Sequence, residues 1–284
     1  MTKLHLQIVN TRLRCIEIRW IMRNRHFLIG AVCDIGKIRE ANEDSILIRV
    51  GSEKDNEFGL FVVADGLGGL RQGQIASQMV IEGLSKWWEN ELTHLLCDHN
   101  NTDISIIDKQ LCEVINKINN RICIYAKHKH IQMASTLSMI FIFKNKYIVR
   151  HVGDSRIYII NQNVQQITQD HSWVNMQVKK GKMSMAEARV HPKRNILTSC
   201  LGITASIEIF GAEGELQKDD TILLCSDGFY NHVCEAEIEF VMYQHVKKDM
   251  DYAQYVAKQL FEKAMLQGGQ DNISIILVKQ EYRR

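Results

Sequence analysis

The feature that most constrains the fold is an apolar run that ends in an acid and a group of glycines. Leu60–Ala64 is apolar throughout, Asp65 follows it directly, and the next four residues include three glycines. This pattern predicts a buried strand followed by a tight turn, which would hold Asp65 at the strand's end, facing a cleft. Glycine has no Cβ, so the backbone there can approach whatever occupies that cleft.

The same arrangement recurs elsewhere in the chain. A second apolar strand, Thr221–Cys225, leads into Asp227-Gly228, and Asp154 and Asp271 stand in glycine-containing turns beside apolar segments. For any one of these acids, a turn-capping role is a sufficient explanation. Because four acids share the setting, we predict one acidic site assembled from distant parts of the chain.

The residue types indicate a particular chemistry. Carboxylate and carbonyl oxygens suit Mg²⁺ or Mn²⁺ rather than zinc, and clustered carboxylates repel one another unless cations relieve them. Two ions about 4 Å apart can bind one water, lower its pKa and orient a phosphoryl group for in-line attack. Arg39 can grip two phosphate oxygens at once, and Asp44 could position a metal-bound water.

Composition narrows the function classes. The 284 residues are 45% hydrophobic and 24% charged, typical of a globular protein, and the net charge is only +2. We therefore expect no nucleic-acid binding, and no membrane span, since no apolar run approaches about 20 residues. None of the eight cysteines forms a C-x-x-C pair and no secretory signal is evident, which favours a reducing, cytoplasmic location.

The order of elements predicts an α+β fold, because the strands pair through hairpins and do not alternate with helices as βαβ units. Helices are predicted over 74–91, from about 103 through 125, and over 173–180, 185–190 and 251–267. Strands are predicted over 27–33, 45–50, 58–64, 137–143, 147–152, 156–160, 164–166, 206–210, 221–225 and 273–278.

Residues 1–25 form a basic N-terminal extension, which contains six Lys and Arg residues and a single acidic residue, Glu17. We expect this extension to be poorly ordered, or to precede a true start at Met22. The alternative is an amphipathic targeting or membrane-surface segment. Residues 26–284 are expected to form a single domain.

Five ordered motifs resemble those of the metal-dependent Ser/Thr protein phosphatases of the 2C type, and most closely their bacterial branch. They are Arg39-x-x-Asn42-Glu43-Asp44-Ser45, Val63–Gly69, Gly153–Arg156, Cys225–Gly228 and Gly269–Asn272, and the resemblance runs from about 29 to 278. It implies a four-layer αββα sandwich, with two central antiparallel sheets flanked by helices. It also implies hydrolysis of phosphoserine and phosphothreonine by metal-activated water, without a covalent intermediate.

The resemblance further implies the roles of individual residues. Arg39 would hold the substrate phosphate, and a flap at about 171–202 would border the site and affect substrate choice. Phosphorylated proteins are the expected substrates, and an opposing Ser/Thr kinase is the expected partner. The expected ligands of two Mn²⁺ or Mg²⁺ ions are Asp65, which would bridge them, the Gly66 carbonyl, Asp227 and Asp271, with Asp154 at a third ion.

Departures from the family pattern leave alternatives open. Leu70 stands where many relatives have His, and Gln74 where they have Glu. If that His assists leaving-group protonation, water must do so here. One alternative is a weakly active or inactive adaptor that binds phosphoproteins on the same fold. Another is a cysteine nucleophile, because Cys33 and Arg39 have the spacing of cysteine-dependent phosphatases, although Val32 stands where those enzymes have His.

Overall fold

The computed structural model describes residues 3–10, 16–17, 25–53, 56–69, 71–98, 104–244 and 252–282. Two antiparallel sheets pack face to face, and helices cover both outer faces. The predicted α+β class and its four-layer αββα order are therefore confirmed. In the described ranges no helix is both long and apolar enough to cross a membrane.

The described elements follow in chain order. The strands are β1 (Lys3–Asn10), β2 (Ile16–Glu17), β3 (Arg25–Asp34), β4 (Ser45–Glu53), β5 (Asn56–Ala64), β6 (Gly66–Gly68), β7 (Met133–Ser135), β8 (Leu137–Phe143), β9 (Lys146–Val152), β10 (Arg156–Ile160), β11 (Val164–Gln166), β12 (Phe210–Glu215), β13 (Thr221–Cys225) and β14 (Ile273–Tyr282). The helices are α1 (Gln72–Trp87), α2 (Thr93–Asp98), α3 (Ile104–Lys129), α4 (Trp173–Lys179), α5 (Met185–Val190), α6 (Asp227–Tyr230), α7 (Glu235–Gln244) and α8 (Tyr252–Leu266). A π-helical turn, Trp88–Leu92, joins α1 to α2.

Three apolar layers hold the sandwich together. Strand β4 shows how they arise, because Leu47 faces α1 and α3 while Ile46 and Ile48 face the second sheet. The third layer lies between the second sheet and helices α7 and α8. Trp87 and Trp88 are fully buried in the first layer, as expected of core residues. A buried side chain of this kind stabilises the fold by roughly 1.5–3 kcal/mol.

The sheet register brings many strand ends to one edge of the sandwich, which we call the site edge. The first sheet has the order β1-β4-β5-β8-β9-β12 and the second β11-β10-β13-β14-β3-β2. The terminal pairs at this edge are Ser45–Ala64, Leu137–Val152, Arg156–Cys225, Cys225–Ile275 and Asp34–Ile273. Every loop or turn that carries a predicted site residue leaves a strand at this edge.

One predicted strand was wrong. Residues 206–209 have no regular structure, and the strand begins only at Phe210. The apolar alternation of Ile207 and Ile209 reflects packing against the core of the first helix layer, not strand pairing. Strand β12 escaped prediction because its glycines and glutamates resemble a loop, yet it pairs with β9 along the edge of the first sheet. Helix α7 was also not predicted.

The other predicted elements are confirmed with small shifts of their ends. Helix α1 begins at Gln72, two residues earlier than predicted, and the helix predicted from about 103 begins at Ile104. Asp103 and Asp251, at which two of the predicted helices begin, lie outside the described residues.

Two parts of the basic N-terminal extension, for which we expected poor order, are strands. Strand β1 pairs along β4 at the edge of the first sheet, and β2 pairs with β3. In β1, Leu4, Leu6 and Ile8 alternate with polar residues, which is a strand pattern that the basic character of the extension obscured. The rest of 1–24 lies outside the described residues, and the division of the chain near residue 25 stays a prediction.

Candidate active site

The backbone N–H and the backbone carbonyl of Asp65 both form hydrogen bonds, which fix the residue in place. Its N–H donates to Oγ1 of Thr136 at 2.9 Å, and its carbonyl oxygen accepts from the N–H of Thr136 at 2.8 Å. Oγ1 of Thr136 also lies 2.8 Å from Oγ of Ser155, which follows Asp154. The end of β5 is thus tied to the β7–β8 junction and, through it, to the turn that carries Asp154.

Gly66 has no room for a side chain. A Cβ there would collide with the carbonyl group of Gly73 and lie 2.7 Å from the carbonyl oxygen of Glu43. The Gly66 N–H donates to that Glu43 oxygen at 3.2 Å. Glycine at this position therefore lets the segment after Asp65 pass between the loop before β4 and the first turn of α1.

Asp44 is almost completely buried, with 1% of its surface exposed. Its carboxylate accepts a hydrogen bond from Oγ of Ser226 at 2.8 Å, which links the start of β4 to the end of β13. Burial raises the pKa of Asp44 to about 7, and repulsion from Asp227 and Asp271 adds to the rise. The two sheets thus meet at this carboxylate.

The other acids repel one another in the same way. Burial raises the pKa of Asp65 well above its ordinary value, and the charges of four neighbouring carboxylates raise it further. Burial also raises the pKa of Asp154 to about 8 and that of Asp227 to about 6. Hydrogen bonds show the same proximity, since Ser226, beside Asp227, bonds to Asp44, and Thr136 links Asp65 to Ser155, beside Asp154. The structure therefore brings together the acids that the sequence predicted to converge: Asp44, Asp65, Asp154, Asp227 and Asp271.

Arg39 and Asp271 form the rim of this site. Nη2 of Arg39 lies 2.8 Å from Oδ2 of Asp271, and their side chains are 52% and 35% exposed. Asn272 fixes the rim, since its amide nitrogen donates to the carbonyl oxygens of Ile35 and Ala41, on the loop that carries Arg39. The guanidinium therefore stands at the mouth of the site, within reach of a substrate.

Several supporting residues were not singled out from the sequence. Glu43 accepts hydrogen bonds from the first-turn N–H groups of α1, at Gly73 and Gln74, and burial raises its pKa. Asn272 and Thr136 make the backbone contacts described above. In the sequence, Glu43 precedes Asp44 and Asn272 follows Asp271. This adjacency to a predicted acid is the feature by which both residues could have been found. Leu70 lies outside the described residues.

The donor set fits a hard divalent cation. In the described part of the chain, no three His, Cys, Asp or Glu side chains lie close enough to hold an ion as they stand. The side chains that converge below the rim, which we call the floor, are nevertheless the carboxylates of Asp44, Asp65, Asp154 and Asp227. No cysteine or histidine is among them. A divalent charge would offset the repulsion that raises their pKa values. The chemistry of these ligands therefore suits Mn²⁺ or Mg²⁺.

Cys33 does not have the properties of a nucleophile. Its side chain is buried in the layer between the two sheets, and its sulfur accepts a hydrogen bond from Nδ2 of Asn42 at 3.3 Å. Burial raises the pKa of the Cys33 thiol to about 12, so the reactive thiolate is scarce at neutral pH. The spacing from Cys33 to Arg39 is thus a chance match to the cysteine-dependent phosphatases.

The segment expected to form a flap holds helices α4 and α5 and is attached to the site edge at both ends. The N–H of His171 donates to the carbonyl oxygen of Gly153 at 2.6 Å, and Nδ1 of His171 accepts from the Gly153 N–H at 3.2 Å. His171 therefore fixes the start of this segment to the turn that carries Asp154. Leu201 pairs with Ser135 at the other end. A cavity of about 250 Å³ between these helices and α6 reaches Asp154.

Comparison with known proteins gives one consistent result. The profile of the family described as Protein phosphatase 2C matches residues 39–266. The serine/threonine phosphatase stp of Listeria welshimeri is 36% identical over 250 residues, which cover 87% of this chain and 93% of that protein. Serine/threonine phosphatase Stp1 from Staphylococcus aureus has a TM-score of 0.78 at 29% identity, covering 93% and 99% of the two chains.

A further solved relative bears on the metal. The catalytic domain of the serine threonine protein phosphatase PstP, described in complex with 2 manganese ions, has a TM-score of 0.71 at 26% identity. The structural match covers 90% of this chain and 98% of that domain.

Proposed function

Because the chain belongs to the protein phosphatase 2C family, and is a serine/threonine phosphatase of that type, we propose that it hydrolyses phosphoserine and phosphothreonine in proteins with water activated at two Mn²⁺ or Mg²⁺ ions. The observation that carries the proposal is the convergence of five carboxylates on the site edge, with an arginine at their rim. An adaptor function is not favoured, since the relatives matched over nearly the whole chain are named phosphatases.

We assign the ions to carboxylates and one carbonyl. When bound, they would lower the pKa of a water and polarise the phosphoryl group. The PstP domain in complex with 2 manganese ions supports the choice of metal and number. The residues that would hold the ions are Asp65, the Gly66 carbonyl, Asp227 and Asp271, and Asp154 would help to hold a third ion.

The chain's own residues have separate tasks. Asp44, held by Ser226, orients the attacking water with its fixed carboxylate. Arg39 shares one N–H with Asp271 and has further donors in a planar fork that matches two phosphate oxygens. Because Leu70 cannot donate a proton, water protonates the departing serine or threonine oxygen.

We also infer an opposing Ser/Thr kinase, since a phosphatase needs a source of phosphoprotein, and a reducing, cytoplasmic compartment. The free thiols of Cys33, Cys112, Cys123, Cys200, Cys225 and Cys234 support the second inference. The net charge of only +2 supports the absence of a nucleic-acid partner.

The test is metal-dependent hydrolysis of a phosphothreonine peptide by the purified chain, measured as phosphate release. We expect turnover with Mn²⁺, loss of turnover with EDTA, and a loss of about 10³-fold or more in Asp65→Asn. Glu113→Gln, an exposed acid on α3 far along the chain from the site motifs, is the matched control and should keep full activity. Turnover that survives both EDTA and Asp65→Asn would refute the proposal.

A further inference from the structure

A groove follows the exposed seam between α1 and α3. Its wider part has a volume of about 680 Å³. A smaller concavity of about 150 Å³ continues along the seam and shares Lys117 and Arg121 with the first. The apolar side chains that line the wider part are Ile75, Met79, Ile124 and Tyr125.

The close approach of the two helices fixes this seam. A Cβ at Gly83 of α1 would collide with the side chain of Ile118 of α3. Glycine at this position lets the helices touch, with the two concavities along the same seam. The α3 residues that line them run from Val114 to Lys129, a length of about 22 Å at 1.5 Å per residue. This length matches a partner helix of about four turns.

The groove exposes apolar surface that the fold does not need. The side chain of Ile124 is 69% exposed and that of Ile75 is 36% exposed, and both line the same concavity. Single exposed apolar residues are ordinary, but a concave group of them is typical of an interaction site. Apolar residues at helical spacing on a partner would fill it.

The charges along the groove are unbalanced. The acidic lining residues are Glu82 and Glu91, whereas the basic ones are Lys86, Lys117, Arg121 and Lys129. Arg121 and Glu82 form a single ion pair at 3.5 Å with both side chains about half exposed, and such a pair is weak in water. The excess of positive charge is therefore available to an acidic partner.

The groove lies beside the catalytic region. Helix α1 begins at Gln72, three residues after the Gly66–Gly69 segment that follows Asp65. Gln132, just beyond the end of α3, packs on that segment, since a Cβ at Gly68 would lie 3.1 Å from its carbonyl oxygen. A partner in the groove would therefore have neighbouring segments close to the site edge.

We propose that the α1–α3 groove docks an acidic amphipathic helix of phosphoprotein substrates, which raises the local concentration of their phosphorylated segments at the active site. The inference rests on the proposed function for its catalytic consequence. Charge argues against two other occupants, because the extension 1–25 is itself basic and a second copy would oppose two basic rims. A flat membrane surface does not fit a concave groove.

The test uses a labelled peptide of about 18 residues, with leucines at helical spacing and glutamates beside them. We expect the full chain to bind it in fluorescence anisotropy, and Ile124→Glu to weaken binding about tenfold or more. The matched control is Ile106→Glu, which changes a 43% exposed residue on the same helix outside the groove. It should leave affinity unchanged, and circular dichroism checks that both variants fold.

A kinetic experiment uses a substrate in which a flexible linker joins the helix peptide to a phosphothreonine peptide. We expect the KM of the joined substrate to be about tenfold lower than that of the phosphopeptide alone, with kcat unchanged, and this gain to vanish in Ile124→Glu. Hydrolysis of p-nitrophenyl phosphate should be equal in both proteins. Binding without any turnover in Mn²⁺ would support the groove and refute the proposed catalytic function.

Three results would overturn the docking proposal. They are equal peptide binding by the unmodified chain and Ile124→Glu, equal binding of a control peptide with lysines in place of glutamates, and no binding by the unmodified chain. Phosphatidylserine vesicles are tested in parallel. Vesicle binding that Ile124→Glu abolishes, without peptide binding, would assign the surface to a membrane and also overturn the proposal.

Discussion

The floor and the rim of the active site differ in how far their charges are removed from water. On the floor, Asp44 is almost completely buried and Asp65 is partly buried, and like charges surround both, so both pKa values are raised. Arg39 and Asp271 on the rim form an ion pair with both side chains partly exposed to water. Burial makes the floor costly to charge, whereas solvent screens the rim.

This difference separates stability from substrate handling. Holding several charged carboxylates on the floor opposes folding unless a cation offsets them, so changes there should be seen in stability as well as in activity. The rim contributes little to folding because its pair is exposed. A change at Arg39 should therefore affect substrate handling with little effect on stability, and the predictions below test that separation.

The largest effect is expected in metal-free protein as pH changes. The raised folded-state pKa values, about 7 for Asp44, about 8 for Asp154 and about 6 for Asp227, exceed the unfolded value of about 4. The folded state therefore holds more protons, and its extra stability, present at low pH, is lost as pH rises from about 4 to 8. We expect urea unfolding in EDTA to show the free energy of unfolding falling by several kcal/mol across this pH range.

The same series with saturating Mn²⁺ provides the contrast. Bound cations favour the charged carboxylates, so stability at pH 8 should rise and the fall with pH should disappear. An identical pH dependence with and without Mn²⁺ would contradict the account of the floor.

A smaller effect is expected on the rim. Arg39→Ala removes the fork that holds phosphate, and we expect kcat/KM for a phosphothreonine peptide to fall about 30- to 100-fold, a loss of roughly 2–3 kcal/mol. Arg39→Lys should recover only part of this, because an ammonium cannot bind two oxygens in the same way. Steady-state kinetics gives the comparison.

Stability is the control for Arg39→Ala. Loss of an exposed pair should change the free energy of unfolding by less than about 1 kcal/mol. A destabilisation of several kcal/mol would show that the rim is part of the folding core and would remove the distinction between the two regions.

The floor was largely predictable from sequence, whereas its supports were not. Asp65 and Asp227 could be found because each ends an apolar run, and strand ends meet at a sheet edge. Thr136 and Asn272 act through hydrogen bonds to residues distant in the chain, which no local pattern encodes. Strand β12 is stabilised by pairing with β9, and its own sequence gives little sign of it.

The smallest effect on activity is expected at Cys33, which lies close to the floor in space yet outside its chemistry. Its buried thiol, with a pKa of about 12, packs between the sheets, so Cys33→Ala should keep phosphopeptide turnover within about twofold. The lost packing should cost about 1 kcal/mol of stability. Turnover and urea unfolding of the same preparation measure both quantities. Loss of turnover in a variant that remains folded would return Cys33 to the reaction as a nucleophile, whereas retained turnover leaves the carboxylates and Arg39 as the reacting groups.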